Sequence, residues 1–354
     1  MKRAICVFLI VLMLPVYALA EENESITVSF IGDCSIGDSA QYMDYDSSYH
    51  TCLDQNGMEW PFSLVKEYLE KDDLTVANLE VVFTESRQHA DKVYYLKGKP
   101  ENVQALTLGS IEMVNTINNH SFDFFEKGYD DTLRILEEAG IKHFGSYRTT
   151  SKDGYDHLAT AELKGIKLGF LGFSYPQDSD QKRIAQRIEK LKNEVGCDIV
   201  VVSLHWGRET YMTPESWQYK YAKQIMDAGA DVIWGHHPHV IQPIHFYKGK
   251  PILYSTGNFT FGTMSHVDPS TGIFRITFER NETGDVEVTR LEVIPCETQR
   301  SPDYRPFVLE DEQERMAVFK ELRFKKDVYK FFDNLPESFL ETGVVELKNG
   351  AFVE

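Results

Sequence analysis

The chain has 354 residues, 42% of them hydrophobic and 26% charged, which is long and apolar enough to bury a sizeable core. Its formal net charge is −18, and so acidic a surface argues against nucleic acid or an anionic membrane as partner. An anionic substrate would have to be met by a cationic centre built into the site.

Residues 1–20, MKRAICVFLIVLMLPVYALA, combine Lys2 and Arg3, a short apolar run, Pro15 and a final Ala18-Leu19-Ala20. This pattern is that of a secretory signal, so a secreted or cell-envelope protein is expected. A membrane contact would arise only if this segment stayed uncleaved as an anchor. The rest reads as one domain over 24–300 and a helical C-terminal extension over 301–354. Once Cys6 leaves with the signal, Cys34, Cys52, Cys197 and Cys296 remain, with no CxxC pair, and one bridge between Cys34 and Cys52 is expected.

In chain order, SITVSFIGDC is a β-rich run that stops at Gly32-Asp33. A polar loop rich in Tyr and Asp follows, and Pro61 then opens an expected helix, PFSLVKEYLEKDD. The unit of strand, helix and strand recurs in outline: LTVANLEVVF as a strand, ENVQALTLG as a helix, IEMVNTINNH as a strand, and KGYDDTLRILEEAG as a helix closed by Gly140. HLATAELKGIKLGFLGFS reads as a hairpin turning near Lys164-Gly165. QKRIAQRIEKLKNEVG leads into CDIVVVSLHWG, and PESWQYKYAKQIMDAG into ADVIWGHH, each a helix followed by a buried strand. Two hairpin-like stretches, PIHFYKGKPILYSTGNF and GIFRITFERNETGDVEVTRLEVI, complete an α/β protein with a mixed sheet or two sheets.

The chemistry-bearing residues fall at strand ends. Asp33 follows TVSFIG, Asn78 and Glu80 follow LTVA, Asn119 and His120 follow MVNTIN, His205 follows IVVVSL, and His236, His237 and His239 follow DVIWG. In α/β folds ligands bind in the crevice beyond the carboxyl ends of the strands. Carboxylate oxygen and imidazole nitrogen together suit Mn, Zn or Fe, so one or two divalent ions are expected there. Such ions activate water and stabilise charge on an attacked phosphoryl or acyl centre. Taken singly, each residue has a plainer reading: a turn for Gly32-Asp33, a cap for Asn119-His120, a core histidine for His205, a solvated turn for His236 to His239. Five strand ends together favour a site.

The segments GDCSIG, ANLE, NNHSFDF, SLHWGRE, GHHPHVIQ and YSTGNFTFG, in this order, resemble the bacterial capsule-synthesis and poly-γ-glutamate-biosynthesis proteins, a branch of the calcineurin-like metallophosphoesterases. The resemblance covers roughly residues 26–300 and implies a four-layer αββα sandwich with a metal site at the sheet edge. It implies metal ligation by Asp33, Glu80, Asn119, His205, His237 and His239, with His236 and Asn78 as further possibilities. It also implies His120 as general acid for the leaving group, oriented by Asp123. Two departures leave the ion count open: Asp33-Cys34-Ser35 replaces Asp-x-His on the first strand, and Asn78-Leu79-Glu80 replaces Gly-Asp on the second. Arg208 and Glu209 follow the His205 motif closely and are expected at the cleft, Arg208 as an anchor for a carboxylate or phosphate.

The reading that follows is an exported, metal-dependent, hydrolase-like protein acting in synthesis, release or anchoring of an anionic surface polymer. A non-catalytic polymer-assembly component with a relic or structural metal site is the first alternative. An envelope phosphomonoesterase or nucleotidase is the second.

Overall fold

A computed structural model of the chain describes residues 25–146, 156–262, 266–323 and 329–353; the expected signal at 1–20 lies outside them. In chain order the main elements are β1 (Ser25–Cys34), α1 (Tyr49–Asn56), β2 (Leu74–Leu79), α2 (Val103–Leu108), β3 (Met113–Asn115), α3 (Phe125–Glu138), β4 (Lys142–Ser146), β5 (Ala159–Leu163) and β6 (Ile166–Ser174). They continue with α4 (Gln181–Glu189), β7 (Ile199–His205), α5 (Ser216–Asp227), β8 (Val232–His236), β9 (Ile244–Tyr247), β10 (Lys250–Leu253) and β11 (Asn258–Thr260). The last are β12 (Ser270–Arg280), β13 (Val286–Thr298), β14 (Pro306–Val308), α6 (Glu312–Leu322), β15 (Asp333–Asn334) and β16 (Val344–Lys348).

The first sheet has β3, β2 and β1 parallel to one another, β1 flanked on its other side by β11 and β12, and β13 antiparallel to β12. The second has β6, β7, β8 and β10 in parallel, with β5 and β9 antiparallel at its two sides. β4 joins them at one edge, pairing with β3 along its length and with β6 at Ser146 alone.

Period-2 alternation decides how the layers stack. Val28 and Phe30 of β1, Val76 of β2 and Ile276 of β12 share one core with Phe170 of β6, Val201 of β7 and Trp234 of β8, so these faces look at each other. Phe30 and Trp234 meet across the seam with ring centroids 5.5 Å apart. The opposite faces carry Ala77, Leu79 and Val114 against Leu106, Ile135 and Leu136 of α2 and α3 on one side. On the other side Val200, Val202 and Ile233 pack against Ile184, Ile188, Ala222 and Ile225 of α4 and α5. The result is helix, sheet, sheet, helix: the four-layer αββα sandwich.

Two of the three expected hairpins close through left-handed pairs, Lys164-Gly165 (φ 46° and 78°) and Lys248-Gly249 (φ 54° and 75°), the backbone a two-residue hairpin requires. Elsewhere the structure departs from the expectations. The helix expected from Pro61 is only a 3-10 turn over Trp60–Phe62 and one α-turn over Lys66–Leu69, because the Ser63 hydroxyl takes the Trp60 carbonyl that a continuing helix would use. The strand expected over IEMVNTINNH is limited to Met113–Asn115. Beyond it Asn118 accepts from His120 N (2.9 Å) and Ser121 Oγ from Asn118 N (2.8 Å), which wraps the chain into a turn. The expected Cys34–Cys52 bridge is absent: all four thiols of the described residues are free and buried, Cys34 against Gly32 O and Cys52 against Asp303 O.

The expected helical tail contains α6, capped by Asp311, whose carboxylate accepts from Gln313 N (2.8 Å) and Glu314 N (3.1 Å). Apart from one helical turn over Phe339–Thr342, the regular structure of the remaining described tail is short strands: β14 and β16 extend the first sheet beside β13, and β15 pairs with β9. Val345 and Leu347 are buried between exposed Glu346 and Lys348, so the alternation of VVELK fits a sheet edge better than a helix face.

Candidate metal centre

The inward register of four strands, followed to their carboxyl ends, changes from apolar to polar. Asn78, Asn115, His205 and His236 stand two or four residues beyond Val76, Met113, Val201 and Trp234, and enter the same seam. Asp33 would fall on the helix side by simple alternation from Phe30. A register shift between Phe30 and Asp33 in the β1–β2 pairing sets Asp33 opposite Asn78 and so brings it inward. Two glycines let backbone approach closely just before the site: a Cβ on Gly32 would stand 2.0 Å from Gly257 O, and one on Gly235 2.0 Å from Tyr254 O.

Asp33 is fully buried and accepts from Asn78 Nδ2 (2.7 Å) and His237 N (3.3 Å). His236 Nδ1 lies 3.3 Å from its Oδ1 and His239 Nδ1 3.5 Å from its Oδ2. Burial would raise its pKa, but the His236 and His239 imidazoles and the Asn78 amide outweigh that and hold the carboxyl below its usual range. Glu80, directly after β2, is in the opposite condition. Both its oxygens are buried without a hydrogen-bond partner, and burial, together with Asp33, Glu209 and Asp123, pushes its pKa well above the carboxylate range. Around Oε1 stand His205 Nε2 at 3.6 Å and the Nε2 atoms of His120 and His239 at 3.9 Å each.

His205 and His237 are neutral donors. Burial, reinforced by His237, holds His205 well below its ordinary pKa, and burial with His239 pulls His237 down to about 3. A buried carboxylate with no hydrogen-bond partner, ringed by imidazole nitrogens, is a donor set that a divalent cation would satisfy. Two groups of three have their donor atoms within 4.8 Å of one another, Glu80 with His237 and His239, and Asp33 with Glu80 and His205. Glu80 is common to both. Asn119 adds an amide oxygen 2.8 Å from His205 Nε2.

The remaining expected residues fall as follows. Asn78 turns its amide oxygen to Asn115 Nδ2 (2.8 Å) and its NH2 to Asp33, so it orients the carboxylate. His236 is buried edge-on to Trp234, its ring centroid 4.0 Å away, and belongs to neither group of three. His120 directs Nδ1 to Asp123 Oδ2 at 2.6 Å, leaving Nε2 toward Glu80. Arg208 and Glu209 are exposed on the loop after β7, which is tied to the histidine turn by Thr210 N on Pro238 O (2.8 Å) and Gln242 Nε2 on Tyr211 O (2.7 Å). The Arg208 guanidinium stacks 4.2 Å over the Tyr211 ring, and Glu209 is near enough to raise Glu80.

Four participants are not singled out by the sequence reading. Asn115 has the strand-end position that marks the others, without a motif around it. Asn258, at the start of β11, accepts at 2.8 Å from His239 Nδ1 and lies within the segment YSTGNFTFG. Tyr175, just past β6, reaches His237 Nε2, but a phenol is not among the expected ligand types. Lys92 bonds Asp123 and the Asn119 carbonyl (2.8 Å) from a loop with no local motif.

Residues 27–263 match the family described as "Bacterial capsule synthesis protein PGA_cap". The chain is 28% identical over 287 residues to the PGA biosynthesis protein CapA of Bacillus subtilis, covering 77% of this chain and 72% of that one. It is 31% identical over 262 residues to the capsule biosynthesis protein CapA of Bacillus anthracis, covering 68% of this chain and 61% of that one. Among solved structures, a hypothetical protein from Thermus thermophilus aligns with TM-score 0.46 and 15% identity over 76% of this chain and 99% of that one. The sulfate thiohydrolase SoxB of the same organism aligns with TM-score 0.45 and 12% identity over 84% and 60%. With the family match running from β1 through β11 and including every strand end of the site, the chain belongs to the bacterial capsule synthesis (PGA_cap) family.

Proposed function

We propose that this chain is an exported, divalent-metal-dependent hydrolase that acts on an anionic cell-surface polymer, capsule or poly-γ-glutamate, during its synthesis, release or anchoring. The observation that carries the reading is Glu80, a buried carboxylate with no partner, shared by two groups of metal-competent donors. Asp33, Glu80, Asn119, His205, His237 and His239 would hold the metal, one or two ions of Mn, Zn or Fe, with Glu80 between them if there are two. Bound there, the metal would supply a Lewis acid and a nucleophilic water at neutral pH, and would offset the acidity of the chain toward an anionic substrate. His120 takes the general-acid role in its protonated form: with Nδ1 donating to Asp123, its Nε2 is the atom that carries a proton to the leaving group. Lys92 holds Asp123 in that orientation, and Arg208 at the rim binds a carboxylate or phosphate of the substrate. Export rests on the N-terminal segment; no helix of the described residues is long and apolar enough to cross a membrane.

A second reading, a polymer-assembly component whose metal is structural, is favoured by Ser35. It stands two residues after Asp33, where the histidine of Asp-x-His would be, and its hydroxyl is engaged by Gly37 O (3.1 Å) and Gly262 N (2.9 Å), so the end of β1 contributes one metal donor, Asp33.

The two readings separate in one experiment, metal analysis of purified protein with assays on phosphate esters and γ-glutamyl polymer. The hydrolase reading expects bound metal and turnover of one substrate class, lost in Asp33→Ala and His205→Ala. Metal bound without turnover, with both variants merely less stable, would establish the assembly role; absence of divalent metal and unchanged variants would exclude both.

A further inference from the structure

Two residues with left-handed backbone face each other at this site, and neither is glycine: Tyr175 (φ 44°) beyond β6 and His237 (φ 95°) beyond β8. Such backbone is strained and persists only where the surroundings over-determine it. Both main chains are pinned here. Tyr175 N donates to His205 O at 2.8 Å, and His237 N donates to Asp33 Oδ2 at 3.3 Å. The two side chains then meet, the Tyr175 hydroxyl on His237 Nε2, with ring centroids 4.9 Å apart and planes inclined by 69°. The other ring nitrogen, Nδ1, is turned into the cluster, 3.1 Å from His205 Nε2.

We propose that Tyr175 is a positioning residue of the metal centre, holding His237 by Nε2 so that Nδ1 is the nitrogen offered to an ion shared with Glu80 and His239. A neutral imidazole has one N–H and one lone pair. With the N–H on Nε2 and donating to the phenol oxygen, the lone pair is on Nδ1, and the ring cannot turn over without breaking that bond. The strained backbone at both ends serves this contact, because it is what brings the ends of β6 and β8, two strands separated by β7, to a single hydrogen bond.

The inference rests on the metal reading, and its test keeps the two apart. Zn and Mn affinities of metal-free wild type, Tyr175→Phe and Tyr175→Asn are measured by competition with a chromogenic chelator, alongside thermal unfolding. Tyr175→Phe retains ring and backbone, so it is expected to unfold with wild type in the metal-free state yet bind about 10- to 100-fold more weakly. Tyr175→Asn suits the left-handed backbone and lacks the phenol, so its affinity is expected to fall without a matching loss of stability. Unchanged affinity in Tyr175→Phe overturns the assignment, as does a loss of stability that tracks affinity in both variants. A wild type that binds neither ion overturns the metal reading itself.

Discussion

Glu80→Gln is expected to leave a folded protein that binds divalent metal at least about 100-fold more weakly while its metal-free form becomes more stable than wild type. The first half follows because Glu80 belongs to both donor groups, and even residues that only orient ligands are worth roughly 10- to 100-fold. The second half follows from burial. Both Glu80 oxygens lack partners, and desolvation and the neighbouring carboxylates raise the carboxyl well above its ordinary 4.5. A carboxyl whose folded pKa is raised favours the fold only while protonated in both states, so that stability is full below about pH 4.5 and is lost as pH rises toward the folded value. A glutamine has no such proton to lose. The advantage of the variant should therefore widen with pH from about 4.5 upward in thermal melts made with chelator present. A metal-free Glu80→Gln protein that melts below wild type across that range would sink the account of Glu80 as a carboxylate kept for a cation.

Gly32→Ala should cost about 3 kcal/mol or more and abolish tight metal binding with it. The added Cβ would stand 2.0 Å from Gly257 O and 3.1 Å from Thr256 O, and both obstacles are backbone, so no side chain can rotate away. Relief requires β1 and the segment before β11 to separate, which breaks the bond from Asp33 N to Gly257 O (2.9 Å) and shifts Asp33 itself. Urea unfolding and metal titration check both parts; a variant within about 1 kcal/mol of wild type with unchanged affinity would show that the strands are not held this closely.

Much of this is legible in the sequence where local pattern and tertiary role coincide. The runs IVVVSLH and VIWGH read as buried strands because they are apolar on both faces, and the polar residues at their ends read as a site because strand ends are where α/β folds expose chemistry. Asp33 stands out in the sequence for a partly different reason than the one that makes it functional. Its inward placement depends on a register shift with β2 that no local pattern announces. Asn78 reads as a possible ligand because its type and position allow it, but which way its amide turns is decided by Asn115, thirty-seven residues away. Lys92 and Tyr175 illustrate the same limit: each acts through one long-range contact, made by a side chain of a type that many surface loops carry. The tail reads as helical because its charge and length suit a helix, while its β-strand alternation is confined to five residues.

The donors come from both halves of the sandwich: Asp33, Glu80 and Asn119 at strand ends of the first sheet, His205, His237 and His239 at those of the second. The sheets are joined by hydrogen bonds along β4 at one edge, and again at the segment between β10 and β11, where Thr256 N donates to Gly235 O (3.2 Å) and Asp33 N to Gly257 O (2.9 Å). An ion held at the seam would be a clasp as well as a reagent, a further tie between the layers at the carboxyl ends of their strands. Charge released or taken up there would be felt as a change in how firmly two layers are buttoned together.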